Sequence, residues 1–103
     1  MSDETEWNVV ELHDAVLLSM TVDWQARSLE LQFRAATGPA MIVAYGLTLL
    51  HAPRIEPWGP SDSVLEIVRS IELDGDGVHL VLKMQSGDDI VVEAAEITDP
   101  RHT

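Results

Sequence analysis

The chain contains no cysteine among its 103 residues. Disulfides, thiolate metal sites and cysteine nucleophiles are therefore excluded together. A secreted domain of this size often carries bridges, so their absence favours a reducing compartment. Basic residues are also scarce, 6 against 18 acidic, for a formal charge of −12. Six dispersed cations form no phosphate-neutralising stripe, which argues against direct nucleic-acid binding and against docking on an anionic membrane. Long hydrophobic runs are missing. Residues 40–50 make the longest, interrupted by Gly46 and Thr48, and it falls short of the ~18 residues of a membrane span. The first six residues are acidic where a signal peptide is basic. A cytoplasmic protein without membrane contact is expected. Repeats and low-complexity segments are absent as well.

What is present is enough for a folded domain. Residues 1–103 read as one domain, with residues 1–6 and 99–103 expected to fray. Hydrophobic residues make up 46% and the mean hydropathy is +0.05, values of a globular rather than a disordered acidic chain. Acidity of this degree keeps a protein soluble; if it also guides a partner, that partner is basic.

The dominant pattern has a period of two. Leu29, Leu31 and Phe33 alternate with Glu30, Gln32 and Arg34. Val16, Leu18, Met20, Val22 and Trp24 fall on one face of the preceding segment and Ser19, Thr21 and Asp23 on the other. Residues 25–28 are short enough to join the two as a hairpin. Further on, Val78, Leu80, Leu82 and Met84 alternate with His79, Lys83 and Gln85. Ser86-Gly87-Asp88 supplies a turn, and Ile90, Val92 and Ala94 return opposite Asp89, Val91 and Glu93. Overlapping Asp-Gly signals at residues 74–77 imply another strand over residues 67–73. Residues 41–51, apolar on both faces, fit a central strand better than a buried helix because of their β-branched content and Gly46. Ser63 and Glu66 have the spacing of a helix capping box, so one helical turn at residues 61–66 is the competing expectation there. The fold expected is mainly β: one antiparallel β-sandwich or small barrel of about six strands, with at most one short helical turn.

Candidate chemistry is sparse. His13-Asp14 has the composition of an acid/base pair or of two metal ligands. In a strand, however, neighbours point to opposite faces, and the two act together only at a bulge. The four histidines, His13, His51, His79 and His102, lack metal-site spacing, and structural or surface roles are expected for them. Asp74-Gly75-Asp76-Gly77 lacks the later carboxylates of a calcium loop. No Gly-x-Ser-x-Gly elbow and no glycine-rich phosphate loop occurs. No catalytic, cofactor-binding or metal-binding residue is assigned, and a non-enzyme is expected.

The long irregular stretch is residues 52–61, with three prolines and one glycine. Proline lacks an amide donor, so no ladder runs through it, and function often sits on such loops. Trp58, between Pro57 and Gly59, reads either as a lid folded over an open end of the barrel or as an exposed anchor for a partner. Trp7 and Trp24 read as core or edge-covering residues. Partner-contact candidates are Trp58 and the acidic turn residues Asp74, Asp76, Asp88 and Asp89.

The run Leu12-His13-Asp14-Ala15 with its following strand, Leu29 to Phe33, Pro57-Trp58-Gly59-Pro60-Ser61 and Met84-Gln85-Ser86-Gly87-Asp88 together resemble a group of small bacterial β-rich proteins of uncharacterised function. That group is similar in layout to immunity proteins of polymorphic toxin systems. The resemblance implies a bacterial, cytosolic, non-enzymatic protein and assigns no catalytic residue. The expected function is a binding module, an immunity-type protein or inhibitor with a basic partner. The alternative is a small β-barrel that holds an apolar ligand or self-assembles as a homodimer.

Overall fold

In the computed structural model, residues 12–71 and 77–102 are described. The strands are β1 (Val16–Asp23), β2 (Ser28–Ala35), β3 (Gly38–His51), β4 (Val64–Ile71), β5 (Val78–Met84), β6 (Asp89–Ile97) and the two-residue β7 (Arg101–His102). They form one antiparallel sheet in the order β1-β2-β3-β6-β5-β4. β7 lies beside the first half of β3.

The long β3 is the hinge of this sheet. Its first half pairs with β2, Ser28 opposite Tyr45 through Ala35 opposite Gly38. Its second half pairs with β6, Ala44 opposite Ile97 through His51 opposite Val91. Between these halves β3 passes through Gly46 at φ 68, where a Cβ would lie 2.8 Å from that of Ala95. Only glycine fits both the conformation and the contact. The sheet thus curls until its outer strands touch at their starts. Asp14 and Leu17 donate to the carbonyls of Val64 and Asp62, and the Val64 amide donates to Ala15, each at 2.8 Å. Val16 and Ser63 form the one bridge between the two edges. Among the described residues, β1 from Leu18 and β4 from Leu65 pair no further with each other.

The interior is continuous. Leu29, Leu31 and Phe33 from β2, Ile42 and Ala44 from β3, Leu80 and Leu82 from β5 and Val92 from β6 are buried in one cluster, with Leu12 and Val64 closing it. β2, β3, β5 and β6 contribute alternate residues, as a sheet with one buried face requires; β1 adds only the partly buried Leu17.

Several expectations need adjustment. The capping-box spacing at Ser63 does not start a helix: β4 begins at Val64, and its amide is already committed to Ala15. β1 does not present Val16, Leu18, Met20, Val22 and Trp24 on one face. A bulge between Leu17 and Ser19 shifts the count, placing Leu17, Met20 and Val22 opposite the core residues Phe33, Leu31 and Leu29. A second bulge, between Val64 and Glu66, likewise turns Leu65 outward. The C-terminal residues do not all fray. Thr98 bonds Val43 twice, by its amide to the carbonyl (2.8 Å) and by its hydroxyl from the amide (3.0 Å). The backbone at residues 101–102 then pairs with Met41 and Ala40.

Candidate functional site: the Trp58 loop

Residues 52–62 join β3 to β4 without a ladder of their own, so their amides need other acceptors. Asp88, at the start of the return from the β5–β6 hairpin, supplies them. Its Oδ1 accepts from the Ile55 amide at 2.9 Å, its Oδ2 from the Glu56 amide at 2.9 Å and from the Ser86 hydroxyl at 2.8 Å. Glu56 takes up φ 58, which brings consecutive amides onto one carboxylate. Arg54 braces the loop from outside, 2.8 Å from Glu56 and 2.7 Å from Asp62. Burial pushes the Asp88 carboxyl up, but the Ser86 hydroxyl, the amides of Ile55 and Glu56 and the Arg54 charge outweigh it and hold the group below the usual carboxylate range. The Arg54 guanidinium is shifted up by its hydrogen bonds to Asp62 and Glu56.

The loop so held positions Trp58. Its amide donates to the Ser86 carbonyl at 2.8 Å. Its ring rests with Pro57 on Gly87, which sits at φ 95; a Cβ there would lie 2.8 Å from Pro57 Cγ and 2.9 Å from Trp58 Cδ2. The other side of the ring faces solvent, and Trp58 is 73% exposed. The ring therefore does not fold over the sheet as a lid would; its outer face is open to solvent. It walls a shallow hollow with Leu65, Glu66, Lys83 and Asp89. The register puts Glu66, Lys83 and Asp89 in one row across β4, β5 and β6. None of the ion pairs among the described residues uses Glu66 or Asp89.

The remaining candidates are distributed differently from the expectation. Asp88 is 6% exposed and committed to the loop; it is a brace, not a contact for a partner. Asp89, its neighbour, is the exposed one. Asp74 and Asp76 lie outside the described residues, as does Trp7. Trp24 is neither core nor edge cover: it is 87% exposed on the β1–β2 turn, beside a hollow of about 580 Å³ lined by Val22, Asp23, Arg27, Leu47 and Thr48.

His13 and Asp14 do meet, Nδ1 to Oδ2 at 3.2 Å. They precede β1, and Asp14 has φ 68, so the opposite-face rule of a strand does not apply to them. Both are exposed, and the Asp14 carboxylate also accepts from Gln85 Nε2. A second pair, His79 Nδ1 to Glu93 Oε2 at 3.0 Å, joins β5 to β6. Alternation marked both residues as outward-facing, but only the register makes them opposite. Among the described residues, no group of three or more His, Cys, Asp or Glu is placed to hold a metal ion. No helix among them is long and apolar enough to cross a membrane.

The architecture is shared with a solved structure. An uncharacterized protein from Neisseria gonorrhoeae superimposes with a TM-score of 0.65 at 14% identity, over 84% of this chain and 89% of that one. At that identity the likeness concerns the fold alone. No family model and no curated protein matches the chain.

Proposed function

We propose that the chain is a non-catalytic binding module, of immunity or inhibitor type, whose partner is a basic protein. The observation that carries this reading is Trp58: a large aromatic ring, mostly exposed, on a seat built from Gly87, Pro57, the Asp88 brace and the Arg54 clasp. Anchors held in place before binding lose little entropy on association, and tryptophan is over-represented among residues that dominate binding energy. Glu66 and Asp89 line the same hollow as the ring, on either side of Lys83, and the overall charge of −12 steers a cationic partner from a distance.

The test is capture from a lysate of the source on immobilised wild type and on Trp58→Ala in parallel, eluted with rising salt. A basic protein held in near-stoichiometric amount by wild type, released by salt and lost from Trp58→Ala, is the expected result. Equal retention by both overturns the anchor, and retention of no basic protein overturns the module.

One observation favours a second reading, a module for a small apolar ligand. The hollow beside Trp24, at about 580 Å³, has the size of a small-molecule site, and Val22 and Leu47 give it apolar walls. Native mass spectrometry of the chain purified from its source decides: a bound organic molecule supports this reading, and the bare monomer mass removes it. A mass of two chains would indicate the homodimer instead.

A further inference from the structure

We propose that the free edge of β1 receives an extended segment of the basic partner as an added strand, one in which apolar and basic residues alternate. This rests on the reading of the partner as basic and adds the mode by which it docks. Among the described residues the outer edge of β1 pairs with no strand beyond Leu17, whose amide is taken by Asp62. Among the described residues, the backbone from Leu18 to Asp23 has no strand on that side. Natural sheets blunt such edges with lysine, proline or inward charge; residues 16–22 contain none of these and no charge at all. Leu18 is 52% exposed, Met20 38% and Val22 43%, although Met20 and Val22 lie opposite the buried Leu31 and Leu29. An added strand would cover the apolar surface that these two leave exposed on the free side of β1.

Charge selects the occupant. On the outer face Thr21 lies opposite Glu30, and Asp23 closes the free segment. A residue facing Thr21 from an added strand is two strand spacings from Glu30, about 10 Å, a gap that a lysine or arginine side chain and the glutamate span between them. A second copy of this chain would bring a further charge of −12 to the same edge, whereas a basic strand is attracted to it. The mode is strand addition, in which main-chain bonds give affinity and alternate side chains give specificity.

The probe is a nine-residue blocked peptide alternating valine and lysine, titrated into the full ¹⁵N-labelled chain. A valine–glutamate peptide and one with its valines and lysines in two blocks serve as controls. Saturable amide shifts concentrated at Leu18–Asp23 are expected with the alternating basic peptide alone, weakened about tenfold or more in Val22→Lys and unchanged in Trp58→Ala. Met20→Lys repeats the test should Val22→Lys lose its fold by circular dichroism. Equal binding of the block peptide, shifts spread over the acidic surface, no shift at millimolar peptide, or concentration-dependent self-association through the same residues each overturns the proposal. Absence of peptide shifts with Trp58-dependent capture intact overturns the strand addition and leaves the anchor standing. Peptide binding at β1 with capture indifferent to Trp58→Ala does the reverse.

Discussion

Gly87 decides where Trp58 stands. At φ 95, with Pro57 and Trp58 within 3 Å of any Cβ, the position admits only glycine without displacement of both rings. Gly87→Ala is expected to cost about 1–3 kcal/mol, read by denaturant unfolding, and to shift the fluorescence of Trp58 as its seat is lost. Trp58→Ala removes an exposed ring and should change stability by no more than about 0.5 kcal/mol, so any loss of partner binding in that variant is not a loss of fold. Asp88 gives a pH dependence of definite sign. Its carboxyl is held below the ordinary value, which in the unfolded chain is about 3.9. A depressed group contributes its stabilisation fully above the unfolded value and loses it as pH falls through the folded one. The loop amides of Ile55 and Glu56 should therefore stay protected between pH 5 and 8 and lose protection selectively below about pH 4, as followed by NMR. Asp88→Asn should weaken the protection of Glu56 at neutral pH, because an amide nitrogen in place of Oδ2 donates and cannot accept from the Glu56 amide or the Ser86 hydroxyl.

At the scale of elements, the strands were legible because alternation is a local signal: Leu29-Leu31-Phe33 and Val78-Leu80-Leu82-Met84 point inward as their spacing requires. The bulges were not. One extra residue at Leu18 puts Leu17, rather than Val16 and Leu18, on the inner side together with Met20 and Val22, and nothing in the run Val16 to Val22 marks the place. The bulge lies beside Leu17, which is tied to Asp62 across the closing corner, a contact 45 positions away in sequence. The candidate site was half legible for the same reason. Proline and glycine marked the loop and its tryptophan, but the buried role of Asp88 against the exposed role of Asp89 depends on which of two adjacent carboxylates the hairpin turns toward Ile55 and Glu56. The C-terminal pairing is not marked by composition either: it rests on backbone bonds to β3 and on one side-chain bond, the Thr98 hydroxyl accepting from the Val43 amide. Thr98→Val keeps the shape and removes that acceptor. It should lower stability by about 1 kcal/mol and speed amide exchange over residues 98–102 relative to β6.

For the molecule as a whole, one curled sheet sealed at one corner leaves, among the described residues, two edges partly unpaired. A charge of −12 on 103 residues repels itself, so the thermal midpoint should rise as salt increases from about 0.01 to 0.15 M, where the screening length falls from ~30 to ~8 Å. The same field acts on a cationic partner with the opposite consequence. The division of labour between charge and anchor is read most directly from the association and dissociation rates of the captured basic partner, measured for wild type and Trp58→Ala across that salt range. Association should slow with salt equally in both proteins, and Trp58→Ala should raise the dissociation rate about tenfold or more at every salt concentration. A dissociation rate identical in the two proteins, or an association rate indifferent to salt, would contradict that division.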